Sequence, residues 1–209
     1  MSVNKDIAGR FYVWFDTEYT DLDLDTARLL QVAAIITDRS LKRVLPQADD
    51  VKLTIRLPGD ALLSPWVEQN LPDLVRACRS AEAVDVEEAD RRLARFVDAV
   101  AGLPAEQENQ RPVLAGNSVH EDWCLARRFL PRFAGRLHYR HLDVTALKLE
   151  WERLHHDEKF EKENPGTILQ YFPEAVLPGS GRRHDAYYDV HASIAELAFY
   201  RRFLLHEAT

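Results

Sequence analysis

Residues 10–18 read RFYVWFDTE, an aromatic and β-branched run that ends on two carboxylates, Asp16 and Glu18. The apolar part has the composition of a buried strand. On a strand, residues i and i+2 project from the same face, about 6.5–7 Å apart, so Asp16 and Glu18 point the same way. Two carboxylates brought to about 4 Å at an effective dielectric near 20 repel by roughly 4 kcal/mol. Either the strand stops at Phe15 and both acids are solvated, or they share a divalent cation held through oxygen ligands.

Working outward, RLLQVAAIITD (28–38) and the alternating VKLTIRL (51–57) read as two further strands, joined by connections short enough for a three-stranded antiparallel meander. Helical patterns follow in SPWVEQNLPDLVRAC (64–78), with Pro65 in a tolerated first-turn position, and in VDVEEADRRLARFVDAVAG (84–102), closing on Gly102. RPVLAG (111–116) is a short buried strand before the helix HEDWCLARRFLPRF, and RHLDVTALKLEWERL runs from a strand into a helix. The charged, glycine- and proline-bearing stretch 155–183 is expected to be mobile, and 184–207 to form a long amphipathic last helix. The order βββ, helices, β, α, β, α, α predicts an α/β fold over residues 1–209, one domain in which a mixed five-stranded sheet is flanked by helices.

Bulk properties narrow the function. The chain has 209 residues, 46% of them hydrophobic, enough for one sizeable core. No run reaches the roughly 20 apolar residues of a membrane helix, and MSVNKDIAGR lacks the apolar core of a secretory signal. The expectation is a cytoplasmic protein that makes no use of a membrane, with Cys78 and Cys124 as ordinary reduced thiols. A formal net charge of −7 disfavours a long nucleic-acid track, which is usually basic. Nucleophile-elbow, Walker and dinucleotide-binding patterns are absent, and neither cysteine belongs to a metal-ligand spacing, which disfavours a Cys/His zinc site.

Other chemistry-bearing residues come from far along the chain. Asp122 opens a helix just after the strand VLAG, where it is either a strand-end site residue or an acid favoured by the helix dipole. His184 and Asp189 lie five apart at the start of the last helix, neighbours rather than aligned. Alone, His184 reads as a surface residue at a frayed first turn. Asp143, in HLDV, reads as a structural support for the turn into the next helix.

Four segments in order resemble the oligoribonucleases, members of the DEDDh 3′–5′ exonucleases with an RNase H-like fold. VWFDTEYTDLD resembles the family's strand ending W-x-D-x-E-x-T-x-L-D, and GNSVHEDWCLARRFLP its G-N-S-x-x-x-D block. LHYRHLDVTALK resembles its H-Y-R-x-L-D-V segment, and HDAYYDVHASIAELAFYRRF its H-x-A-x-x-D motif and following helix. The resemblance runs from residue 10 to residue 204. It implies that Asp16, Glu18, Asp122 and Asp189 hold two Mg²⁺ or Mn²⁺ ions, whose charge four acids would nearly cancel, leaving none of them to pair with lysine or arginine. It implies His184 as general base, Leu22 as a wedge against the substrate's bases, Trp66 as a stacking aromatic, and Asn117 and Ser118 near the bound nucleotide. Tyr139 would reach the other subunit's active site in a homodimer. The implied reaction removes 5′-mononucleotides from the 3′ ends of short single-stranded oligoribonucleotides. Departures from the pattern fall at Thr17, Asp21 and Tyr187–Tyr188. DTE is closer to DNA-proofreading relatives, so trimming of longer single-stranded DNA or RNA 3′ ends is one alternative. A catalytically silent nucleotide-binding module on the same fold is another.

Overall fold

The computed structural model describes residues 10–101, 111–155, 159–177 and 184–204. Five strands form one mixed sheet: β1 (Phe11–Tyr19), β2 (Leu29–Asp38), β3 (Val51–Thr54), β4 (Val113–Gly116) and β5 (His141–Asp143), in spatial order β3-β2-β1-β4-β5. The first three pair antiparallel as a meander, and β4 and β5 add in parallel to β1. This is the sheet expected from the sequence, with β1 at its centre. The third strand ends at Thr54, earlier than its alternation suggests: Ile55 N still bonds Leu30 O of β2 at 2.9 Å, but Ile55 bridges Val84.

The strand period of two divides the apolar residues of β1 between two layers. Val13 and Phe15 join one core with Leu93, Phe96 and Val97 of α3 (Val86–Ala101), Leu125 of α4 (Val119–Phe129) and Phe133 of α5 (Pro131–Ala134). Trp14 points the other way, into a core built by Trp151 of α6 (Val144–Leu154), Ile168 of α7 (Pro165–Tyr171) and Val190, Ile194 and Leu197 of α8 (Ala186–Leu204). The buried indole of Trp14 donates to Thr37 Oγ1 at 2.8 Å, so its one polar atom is satisfied.

Between β3 and α3 the chain forms two short helices where the sequence reads as one helical stretch: α1 (Pro65–Asn70) and α2 (Pro72–Cys78). Pro72 lacks the N–H that would continue the first helix, and each helix starts on its own proline. Val67, Leu71, Val75 and Cys78 pack on Leu30 and Leu57, fixing α1 to the sheet beside the end of β1. Ser64 caps α1 through Val67 N, and its own N–H bonds Thr20 O at 3.0 Å.

Two expectations are corrected. The stretch 155–183 was expected to be mobile, but its described part contains α7, whose Ile168, together with Phe172 just beyond it, is buried in the α8 core. Apolar anchoring at those two positions outweighs the charged composition around them. His184 was placed within the last helix, but α8 starts at Ala186, and His184 stands in the preceding turn with φ 60°. Asp185 sets that start: its Oδ1 accepts from Tyr187 N at 3.1 Å and Tyr188 N at 3.2 Å, satisfying first-turn donors. Gly102, the expected helix terminator, lies outside the described residues. Among the described residues no helix is long and apolar enough to cross a membrane.

Candidate active site

Asp16 and Glu18 leave β1 on the face that carries Trp14, the face covered by α8. Their position along the strand is set by pairing of Asp16 with Ala33 and Glu18 with Gln31 on β2. Immediately after Glu18 the register shifts, and Tyr19 pairs with Leu29. Gln31 also reaches α8, its Oε1 accepting from Ala186 N at 2.9 Å in a buried contact. That bond fixes the helix start three residues before Asp189. Carboxylate oxygens of Asp16, Glu18 and Asp189 thereby come within 4.8 Å of one another.

Burial and mutual repulsion make this an unfavourable arrangement for three bare anions. Burial, then the charges of Asp122, Asp189 and Glu18, hold the Asp16 pKa well above the ordinary carboxylate range. Burial, followed by Asp189, lifts Glu18 to about 8. An all-oxygen donor set of this compactness fits a hard divalent cation, whose charge would remove the penalty.

Asp122 arrives by a different route. It stands in the first turn of α4, which covers the opposite face of the sheet, and it is buried. Its Oδ1 accepts a 2.7 Å hydrogen bond from Thr17 Oγ1, the residue of β1 between the two acids. Asp122 lies close enough to raise the Asp16 pKa, yet it is outside the three-acid group. Burial raises the pKa of Asp122 itself, and the Thr17 hydroxyl works against that rise.

The expectation that no acid of the set pairs with a basic side chain is corrected. Lys162 Nζ lies 2.6 Å from Asp189 Oδ1. It sits in a run of charged residues where composition alone gave it no distinction.

His184 is exposed and meets Trp66 edge to face, ring centroids 4.7 Å apart at 84°. Trp66 is 46% exposed and Leu22 86% exposed, so neither is consumed by core packing. The loop carrying Leu22 is held by Asp23 N bonding Asp21 Oδ1 at 2.9 Å and by Arg128 of α4 bonding Asp25 O at 2.7 Å. Asn117 is turned inward: its amide donates to Glu196 Oε2 at 2.7 Å, and Tyr200 donates to the other oxygen at 2.7 Å. Ser118, at φ 50°, bonds through its N–H to Asp143 Oδ1 at 3.0 Å and Thr145 Oγ1 at 2.8 Å. Asp143 also caps α6 through Thr145 N, so it supports the turn into that helix. Tyr139 is exposed, stacked on His138, and distant in the chain from every acid of the cluster.

Thr17, Gln31, Lys162 and Glu196 are the residues that sequence reasoning did not assign to the site. Only Thr17 carried a signal, as a departure from the pattern of the first motif.

Residues 13–197 match RNase_T, the exonuclease family, which defines the class. The chain is 30% identical over 200 residues to an oligoribonuclease of Francisella tularensis, covering 92% of this chain and 95% of that protein. It is 32% identical to an oligoribonuclease of Alkalilimnicola ehrlichii, covering 92% and 89% respectively. The fold is shared with E. coli exonuclease I in complex with a 5cy-dT13 oligonucleotide, at a TM-score of 0.62 and 17% identity over 93% of this chain. The chain spans only 41% of that structure's length. The chain belongs to the exonuclease family and, within it, to the oligoribonucleases. It is a hydrolase of the 3′–5′ exonuclease type on an RNase H-like fold.

Proposed function

We propose that the protein removes 5′-mononucleotides from the 3′ ends of short single-stranded oligoribonucleotides, with two Mg²⁺ or Mn²⁺ ions as cofactors. Convergence of Asp16, Glu18 and Asp189 within 4.8 Å on one sheet face carries this reading. Such ions polarise a scissile phosphate and stabilise the attacking and leaving oxygens. Asp16, Glu18 and Asp189 would hold them, with Asp122 completing the set from α4. His184 would take the proton of the attacking water at its imidazole, a group whose ordinary pKa suits that role near neutrality. The Trp66 ring against His184 limits where the imidazole can go.

Leu22 and Trp66 present apolar surface at the protein's exterior, supporting a wedge and a base-stacking role; one such stack contributes on the order of 1–3 kcal/mol. A net charge of −7 suits a substrate of about two to five nucleotides, which offers few phosphates to a basic track. Asn117 and Ser118 would shape the loop beside the nucleotide through their contacts with Glu196 and Asp143. The exposed Tyr139 is free to reach the site of a second copy in a homodimer. The unpaired thiols of Cys78 and Cys124 suit a cytoplasmic setting.

A length series tests the reading. Mononucleotide release is measured from RNA and DNA dinucleotides and twenty-mers, with Mg²⁺ and with Mn²⁺. Preference for the RNA dinucleotide is expected. Equal rates on dinucleotide and twenty-mer favour end trimming of longer strands, and no release from any of them favours a silent binding module.

A further inference from the structure

The Lys162–Asp189 contact ties a cation, the only one paired with the four acids among the described residues, to an oxygen of the proposed metal-binding set. We propose that Lys162 is the resident cation of the acid centre, and that divalent-ion binding proceeds by exchange, the ion taking Asp189 and displacing the ammonium. This rests on the metal reading given above and goes beyond it.

Three observations carry the exchange. Lys162 Nζ is 2.6 Å from Asp189 Oδ1, the separation of a charge-assisted hydrogen bond. A divalent ion on the same carboxylate would stand beside the ammonium, and two cations there repel. Second, the lysine is presented by an anchored backbone. Its carbonyl accepts from the Tyr188 hydroxyl at 2.9 Å, and Tyr188 is the immediate neighbour of Asp189 on α8. Phe160, two residues before, packs on Tyr171 and Phe199. Tyr188 is one of the positions where this chain departs from the family pattern, so the anchor belongs to this sequence. Third, the side chain is 42% exposed while that of Asp189 is 11% exposed, which gives the flexible stem an open path outward.

The electrostatics agree. Lys162 lowers the pKa values of both Asp16 and Glu18 against the neighbouring acids that raise them. Burial tends to lower the pKa of Lys162 itself, but Asp189, Asp16 and Glu196 hold it above its ordinary value. The ammonium thus partly neutralises the same carboxylates that a metal ion would.

Calorimetric titration of Mn²⁺ into metal-depleted wild type, Lys162→Met and Lys162→Arg tests the exchange. Lys162→Met is expected to bind Mn²⁺ about tenfold more tightly than wild type, since one charge-assisted contact no longer has to be broken. Lys162→Arg keeps the charge and is expected to bind no more tightly than wild type. Equal or weaker Mn²⁺ binding by Lys162→Met overturns the proposal. Should that variant fail to fold, wild type decides alone: the proton–nitrogen correlation of the Lys162 ammonium, seen in EDTA, should shift or vanish at saturating Mg²⁺. A signal unchanged by saturating Mg²⁺ overturns the exchange while leaving the metal reading intact. Absence of Mn²⁺ binding in wild type and both variants overturns the metal reading, and the exchange with it.

Discussion

The Thr17 hydroxyl donates a 2.7 Å buried hydrogen bond to Oδ1 of Asp122, joining the middle of the D-T-E triplet to an acid 105 residues away. Thr17 points away from the face that carries Asp16 and Glu18, so it meets the helix on the opposite layer. One strand thereby supplies two acids directly and orients a third through the residue between them. Thr17→Val removes a hydrogen bond to a charged group, about 1.5–3 kcal/mol where the acceptor is left buried. The rate of mononucleotide release should fall roughly tenfold or more by the same arithmetic. The Asp122 pKa should move further up, so the loss should shrink as pH rises. Equal single-turnover rates for Thr17→Val and wild type across pH would show that this bond does not serve the reaction.

Asp189→Asn and His184→Ala should each leave the fold intact and abolish metal-dependent release. Asp189 is buried but faces the acid cluster rather than the apolar core, and His184 is exposed, so neither supports the core. Loss of a positioned proton acceptor lowers rates by about 10²–10⁴-fold. Circular dichroism checks the fold, and chromatography of products from a labelled dinucleotide checks the rate. Full activity in either variant refutes the assigned role.

Metal-depleted protein should lose stability as pH rises. Glu18, raised by burial and then by Asp189 from 4.5 to about 8, keeps its proton in the folded state across that window while the unfolded chain releases it. The folded state then binds more protons than the unfolded one, and stability falls between those values as pH increases. Asp16 shifts in the same direction. Melting temperature in EDTA should therefore decline from acid to mildly alkaline pH, and saturating Mg²⁺ should flatten that decline. A flat profile in EDTA would contradict the burial argument.

Gly116 ends β4 under a close backbone approach. A Cβ there would lie 2.9 Å from the carbonyl oxygen of Phe15, on the strand that carries the acids. Gly116→Ala should cost about 1–3 kcal/mol of stability, the usual range for forced overpacking, read as a shifted urea midpoint. It should also slow turnover by displacing β1 near Asp16. An unchanged midpoint would mean the two strands part without penalty.

The sheet was legible because its signal is local. Aromatic and β-branched runs with short connections announced the meander, and period-two geometry put Asp16 and Glu18 on one face. The resemblance of four ordered segments brought Asp122, His184 and Asp189 into the same frame. Contacts that tune the site were hidden for a physical reason. Lys162 meets Asp189, and Gln31 meets Ala186, only after helices have been rotated and docked on the sheet. Charge content misled at 155–183, where Ile168 and Phe172 supply enough burial to order a helix. Helix periodicity also carried His184 into α8, because it does not register that Asp185 accepts the first-turn N–H groups.

The irregularity that follows Glu18 separates two parts of the molecule that could otherwise interfere. Up to Glu18 the pairing of β1 with β2 works like a reading frame: a one-residue slip would turn Asp16 and Glu18 to the opposite face. Past the shift at Tyr19 the pairing continues in a new register only as far as Thr20, whose N–H bonds Arg28 O at 2.9 Å, and the loop that carries Leu22 is held by its own turns and by Arg128. Residues can be gained, lost or exchanged in that loop without moving either carboxylate. The surface proposed to meet a substrate's bases is therefore free to diversify while the acids stay in phase.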